Sequence, residues 1–347
     1  MNEQITGALF KRMVLHGAAV ITAQKQAIND LNVFPVPDGD TGTNMSMTIQ
    51  SAVTDLKKAE DPTLEKAASI AASAMLRGAR GNSGVILSLL FRGISKALKG
   101  VSECDGVLWA KALQEGVDAA YKAVMKPAEG TILTVARLSA AKAGQAAQEN
   151  SYFEFVHEAA VEEARVALAN TVNQNPVLKK AGVIDAGGKG WLWALEAMLL
   201  ALRGEDVTIS ESAPVEPPKE QADFSEFNTE DITFTYCTEF IASRKDKARN
   251  VARLRSILNE IGDSLVVVED DDIVKVHVHT DQPNKALEEG LKFGPLLTVK
   301  IENMREQHTA KVIEGTADAP KERVIVPAEK KFGFVAVAAG EGLKSLF

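Results

Sequence analysis

The chain has 347 residues, 46% of them apolar and 25% charged, a composition ordinary for a soluble globular protein and long enough for two or three domains with buried cores. Its net charge of −8 argues against a general binder of nucleic acid or anionic membranes, though not against a nucleotide, for which Mg²⁺ can supply positive charge locally. Only two cysteines occur, no basic and then apolar leader follows Met1, and no run of about 18 apolar residues appears, so a reducing cytoplasm without membrane insertion is expected.

From Ile5 to Gly204, apolar residues recur at three- and four-residue spacing between loops rich in Gly, Pro or Asn. The pattern predicts helices at 5–31, 43–57, 63–77, 83–98, 105–125, 131–148, 152–173 and 188–203. Their lengths and short connections suit an antiparallel helical bundle or barrel. His16 and His157 fall inside predicted helices and read as ordinary helix residues.

The loops carry the chemistry. Between the first two helices runs Asn32-Val33-Phe34-Pro35-Val36-Pro37-Asp38-Gly39-Asp40-Thr41-Gly42-Thr43-Asn44-Met45. Two carboxylates two residues apart are followed by hydroxyls, a glycine and an amide, then by an apolar segment able to start a helix. Hard oxygen ligands suit Mg²⁺, and N–H groups at a helix start suit phosphate. The same residues also read as a turn with helix-capping side chains. An EF-hand is excluded, because Gly42 and Thr43 stand where that loop needs an oxygen ligand and a glycine. A P-loop is absent too: Gly182 to Gly190 has one residue too many before Lys189 and no Ser or Thr after it.

Three further polar loops follow, at 77–84, 126–131 and 175–190. If alternate loops gather at one end of a bundle, their helix N-termini surround an anion pocket. Glycine and asparagine serve equally well simply to punctuate helices.

Residues 205–228 mix acidic residues with Pro214, Pro217 and Pro218 and read as a solvated linker between a helical domain, 1–204, and a middle domain, 229–314. In the latter the period switches to two. Strands are predicted at 232–241, 264–269, 273–280 and 297–303, with helices at 247–262 and 284–293. The order β-α-β-β-α-β is that of a ferredoxin-like α+β fold. A second linker is expected at 315–331. Residues 332–347 read as the first strand and turn of a third domain, cut short at Phe347.

Taken together, residues 32–45, Gly81-Asn82-Ser83-Gly84, Glu129-Gly130-Thr131-Ile132-Leu133 and Asp185-Ala186-Gly187-Gly188 resemble the nucleotide-binding L domain of dihydroxyacetone kinases. Tyr236 to Phe240, His277 to Asp281 and Glu302 to His308 narrow the resemblance to the ATP-binding kinase subunits of bacterial fatty acid kinases. The resemblance implies an all-α barrel of eight antiparallel helices that binds ATP and paired Mg²⁺ at one end. It implies transfer of the γ-phosphate to a fatty acid carboxylate, presented by a separate fatty-acid-binding protein, to give an acyl phosphate for phospholipid synthesis. Partner docking would involve the third domain, of which only the opening is present.

Carried over residue by residue, Asp38 and Asp40 match the metal-binding aspartates. The kinases place another aspartate at the position of Val33; Asn32 would reach the metal if Pro35 and Pro37 bulge the loop. Thr41, Thr43 and Asn44 match the phosphate-contacting helix start, and Asn82 and Ser83 match a second phosphate loop. Asp185 and Gly187 correspond to an Asp-Pro-Gly segment near the adenosine, with Ala186 in place of proline. Gly130 and Thr131 complete the expected nucleotide contacts. A fatty acid carboxylate is ionised at neutral pH, so the absence of an evident general base in these loops suits that acceptor better than an alcohol.

Cys237, His277 and His279 form a second set. His277 and His279 lie two apart on a strand and so share a face, which Cys237 joins if its strand is adjacent. One thiolate and two imidazoles are a Zn²⁺ set whose fourth position water, Asp281 or another residue could take. The alternative is an incidental His-x-His on a half-buried strand; the resemblance favours zinc, in a structural role. Two other functions stay open: a dihydroxyacetone-type kinase subunit, and a non-catalytic nucleotide-binding regulator. A homodimer is among the assemblies the sequence allows, and no nucleic-acid partner is expected.

Overall fold

The computed structural model of the protein describes residues 2–205, 232–245 and 247–317. The expected linker over 206–228, the second linker from 318 onward and the start of a third domain lie outside these residues. The chain divides into two compact units, Met1–Val312 and Ile313–Phe347, and the first carries every functional residue discussed below.

A short strand β1 (Gln4–Ile5) leads into α1 (Gly7–Ala23), whose first turn is capped by the Thr6 hydroxyl accepting from Leu9 N–H. The predicted helix 5–31 is two helices, because the backbone leaves helical geometry at Gln24 before α2 (Lys25–Asn29) begins. Then follow α3 (Thr41–Lys58), α4 (Leu64–Gly78) and α5 (Gly81–Ala97). Strand β2 (Cys104–Asp105) pairs antiparallel with β1, a two-residue ladder too short to show a period in the sequence. The helical part ends with α6 (Gly106–Ala123), α7 (Ile132–Glu149), α8 (Phe153–Gln174), the short α9 (Pro176–Ala181) and α10 (Ala186–Arg203).

Consecutive long helices pack on one another, and α10 packs on both α8 and α1, so the last helix returns to the first. Phe10, Met13 and Ile21 of α1 are each 0% exposed in the shared core, and each such side chain contributes about 1.5–3 kcal/mol by its burial. Among the described residues, no helix is long and apolar enough to cross a membrane.

The second half contains β3 (Tyr236–Ser243), α11 (Val251–Ile261), β4 (Gly262–Glu269), β5 (Ile273–Thr280), α12 (Pro283–Leu291), β6 (Leu296–Asn303) and α13 (Met304–Ala317). The order β-α-β-β-α-β is as expected, and the strands form one antiparallel sheet in the order β4-β5-β3-β6. Helix α13 is the addition. It occupies 315–317, where a linker was expected.

Alternation along the strands gives the sheet two unlike faces. Phe240, Leu265, Val267, Val274, Val276 and Val278 form an apolar face packed with Leu254 and Leu258 of α11. The register places Cys237 between His279 and Glu302, and Glu239 between His277 and Lys300, on the other face. That polar face turns toward the helical part. Lys275 Nζ donates to Ala79 O at 2.6 Å, Met125 N–H donates to Leu265 O at 3.2 Å, and Val266 and Val268 join the helical core.

Candidate active site and metal centre

The Asp38–Asp40 loop is held by two asparagines. Asn32 Nδ2 donates to Val36 O at 2.9 Å, while its Oδ1 accepts from the backbone N–H of Asp40 (3.1 Å) and Thr41 (2.8 Å). Asn29 Oδ1 accepts from Gly42 N–H (2.8 Å) and Thr43 N–H (3.1 Å), and its Nδ2 donates to Thr43 Oγ1. Two expectations change as a result. Asn32 spends its amide on the loop and acts as a brace, not as a ligand. The N–H groups at the start of α3, expected to meet phosphate, are already satisfied, and Thr43 is tied to Asn29 away from the pocket.

Asp38 and Asp40 face one narrow polar pocket together with Asn32, Thr41, Asn44, Asn82 and Ser83. Burial, and next the adjacent Asp40 charge, push Asp38 well above the usual carboxylate range. Burial raises Asp40 as well, against the pull of a hydrogen bond from Asn44 and the positive charge of Lys300. Two desolvated carboxyls side by side are a strained arrangement that a hard divalent cation relieves.

The start of α5 faces the same pocket. Gly81 sits at φ +59, and a Cβ there would stand 2.4 Å from Asn44 Nδ2, so only glycine lets α5 begin this close to α3. Among the described residues nothing accepts from the N–H groups of Asn82 or Ser83, which are left at the open end of a 17-residue helix.

Beyond Asn82 and Ser83 opens a second cavity of about 340 Å³, the size of a small-molecule site. Thr131 and Asp185 line it with Phe34, Ile86, Met125 and Val266. Asp185 caps α10, its Oδ2 accepting from Gly188 N–H at 2.7 Å, and burial raises its pKa to about 6. Gly187 lines neither cavity; its Cα position lets the starts of α10 and α5 approach, since a Cβ would lie 3.2 Å from Ser83 Oγ. Gly130 is also structural, at φ +73 against Asn175 and Thr171.

The sheet contributes the other wall of the first pocket, through Cys237, His277, His279, Lys300 and Glu302. The sequence treats the aspartate loop and the Cys-His-His set as separate; the structure brings them together. One ligand atom from each of Cys237, His277 and His279 lies within 4.8 Å of the others. His277 Nδ1 stands 2.8 Å from Glu239 Oε1, and its Nε2 stands 3.2 Å from His279 Nε2. Burial, reinforced by His277, lowers the His279 pKa to about 3, so that imidazole is neutral. Burial raises the Cys237 thiol well above its ordinary value, with the charges of Glu239, Asp38 and Asp40 adding to the effect. Asp281, considered as a fourth ligand, instead accepts from Thr235 N–H at 2.8 Å; Asp263 is the carboxylate beside His279, at 3.6 Å.

Sequence reasoning missed Asn29, Glu239, Lys300 and Glu302. The signal for the last three was present in the strands: 237/239, 275/277/279 and 300/302 are polar at every second position while their neighbours are apolar.

Comparison with known proteins agrees with this two-part construction. Residues 35–200 match the DAK2 domain, and residues 233–311 match the FakA-like middle domain found in fatty acid kinases. Protein YloV of Bacillus subtilis is 42% identical over 350 residues, which cover 99% of this chain and 63% of YloV. Uncharacterized proteins of Staphylococcus saprophyticus and Staphylococcus aureus are 41% and 40% identical, over all of this chain and 64% of theirs. The chain therefore spans a little under two thirds of the length of these relatives. The DAK2 domain followed by the fatty acid kinase-type middle domain supports a DAK-like, kinase-related family that includes fatty acid kinase subunits.

Proposed function

We propose that the chain is the ATP-binding part of a kinase that phosphorylates a fatty acid carboxylate, presented by a separate fatty-acid-binding protein, to give acyl phosphate and ADP. The observation that carries this proposal is the paired, desolvated Asp38 and Asp40 carboxyls facing the open start of α5 across one pocket. The donor set fits Mg²⁺: hard oxygens, adjacent, with no carboxylate-pairing guanidinium in the lining. Asp38 and Asp40 would hold the ion or ions, which when bound supply neutralisation of the phosphate oxygens.

The remaining roles fall to this chain's own groups. The N–H groups of Asn82 and Ser83 bind the phosphate anion through the positive end of α5. Thr41 and Asn44 offer side-chain contacts in the same pocket, and the 340 Å³ cavity, entered past Asn82 and Ser83, takes the adenosine beside Thr131 and Asp185. The acceptor needs no base, because a fatty acid with a pKa near about 4.3 is ionised at neutral pH. This matches a pocket whose two histidines are engaged with each other and with Glu239. The return of α10 to α1 supports an eight-helix barrel, with α2 and α9 as short additions.

Cys237, His277 and His279 fit Zn²⁺ in a structural role. A carboxylate on the Nδ1 of a histidine whose Nε2 faces the site is the usual outer support of a zinc-bound imidazole, and Glu239 supplies it. Cytoplasmic localisation follows from the same function.

The test is an assay with Mg·ATP and three acceptors in parallel: oleate loaded on a purified binding protein, dihydroxyacetone, and none. Acyl phosphate, trapped as the hydroxamate, is expected only with the lipid-loaded partner. Phosphorylation of dihydroxyacetone, or ATP binding without turnover on either acceptor, would overturn the proposal in favour of the corresponding alternative.

A further inference from the structure

The nucleotide pocket carries an imbalance. Asp38, Asp40 and Glu302 bring carboxylates to it, and a triphosphate would add several more negative charges. The helical part offers little in return. The N–H groups at the start of α3 are taken by Asn29 and Asn32, and Gly81 N–H at the start of α5 is taken by Glu239. Among the described residues that line the pocket, the one lysine or arginine is Lys300, and it comes from β6 of the sheet.

Its placement follows from the register. Lys300 pairs with Glu239 across β3, on the polar face, and two residues on Glu302 pairs with Cys237. Lys300 Nζ lies 2.7 Å from Glu302 Oε2, and its side chain keeps 24% of its exposure. The Glu302 carboxylate thus parks the ammonium at the wall of the pocket with two of its three donor hydrogens uncommitted to that bond. Its charge is felt at Asp40, so it stands near the place proposed for the metal-bound phosphates.

We propose that Lys300 is a phosphate-binding residue of this site, supplied by the sheet to the helical nucleotide pocket, and that it contacts the terminal phosphate of ATP. Glu302 is its positioning residue. The inference rests on the nucleotide-binding part of the proposed function and names a contact which that function does not by itself require. A flexible lysine stem suits the role, since the ammonium moves with the phosphate as a point charge whereas an arginine fork fixes one geometry. It also assigns the sheet a part in catalysis: the helical domain alone lacks the cation.

The contact predicts discrimination between nucleotides. Titration calorimetry with Mg·ADP and with a Mg-bound non-hydrolysable ATP analogue, on the whole chain, compares wild type with Lys300→Met, Lys300→Arg and Glu302→Gln. Lys300→Met is expected to weaken the ATP analogue by about tenfold or more while ADP changes by less than about threefold. Lys300→Arg should recover most of the lost affinity, and Glu302→Gln should give an intermediate loss for the analogue alone. Thermal unfolding of each variant checks the fold independently. Equal losses for the two nucleotides, or none, would overturn the role of Lys300. Failure of the wild type to bind either nucleotide would instead overturn the nucleotide site itself.

Discussion

The backbone N–H of Gly81 donates to Glu239 Oε1 at 2.7 Å, which ties the start of α5 to the polar face of the sheet 158 residues away. The same oxygen stands 2.8 Å from His277 Nδ1. Glu239 is 4% exposed, and although burial opposes its charge, His277 and Lys275 hold its pKa at about 2. One carboxylate therefore joins the nucleotide pocket, the histidine pair and a buried lysine.

Removing it should be costly. Glu239→Ala leaves Gly81 N–H, His277 and Lys275 without their shared partner, and breaking a buried pair from one side typically costs about 3–5 kcal/mol. Glu239→Gln keeps an acceptor for Gly81 and should cost less than half as much. Urea denaturation of the two variants measures the difference. A loss under about 1 kcal/mol for alanine would show that water replaces the carboxylate.

Asp38 gives a prediction of opposite sign. Its carboxyl is raised in the folded state, so between the unfolded value of 3.8 and the folded value the native protein holds a proton that the unfolded chain has lost. Stability of the metal-free protein then falls as pH rises through that window. Asp38→Asn removes this term and should leave the metal-free protein at neutral pH as stable as the wild type or more so. It should also abolish the stabilisation by Mg²⁺, which for the wild type reaches about 2.7 kcal/mol at a hundredfold excess over Kd. Melting curves with and without Mg²⁺, for Asp38→Asn and Asp40→Asn, read both effects. A stabilisation that survives in both variants would remove Mg²⁺ from this loop.

His157 supplies a pH dependence unrelated to the site. Trp109 Nε1 donates to its Nδ1 at 3.1 Å, and its Nε2 lies 3.0 Å from Leu195 O, a geometry that requires the neutral ring. Burial lowers its pKa to about 4, from 6.5 when unfolded. The unfolded chain therefore binds the extra proton first, so this contribution is complete above pH 6.5 and is lost as pH falls toward 4. The window corresponds to about 3 kcal/mol. His157→Gln should lower stability at pH 7 yet flatten the decline between pH 6.5 and 4, as seen by denaturation at a series of pH values.

Legibility differed between elements for identifiable reasons. Strand β5 was predicted at its observed bounds, 273–280, because alternation and the Asp270-Asp271-Asp272 turn both mark it. The break at Gln24 was not, since Ala23-Gln24-Lys25 has good helix propensity throughout. Asp38 and Asp40 stood out because carboxylates two apart in a Pro/Gly loop are locally unusual. Asn29 did not, for its role exists only once α2 turns back onto α3. The convergence of the aspartate loop with Cys237, His277 and His279 was illegible for a deeper reason. Alternation along a strand shows that a polar face exists but cannot say what lies against it. Here only long-range bonds such as Lys275 to Ala79 fix the answer.

The Cys-His-His cluster permits the last prediction. Purified protein should carry about one zinc per chain, and His277→Ala/His279→Ala should carry none. The pH dependence is a sharper test than the stoichiometry. His279 is neutral far below physiological pH, its pKa lying at about 3, so it has no proton to lose on binding. Cys237 is the opposite case: burial and the neighbouring carboxylates keep its thiol protonated, and a zinc-bound sulfur must be thiolate. Binding should then release the thiol proton, and zinc affinity should fall about tenfold from pH 8 to pH 7. Competition with a chromophoric chelator at the two pH values measures the slope. Cys237→Ser should weaken binding and remove most of that dependence. A flat profile in the wild type would mean that the thiol is not a ligand and that the two histidines hold the metal with Glu302 or Asp263 instead.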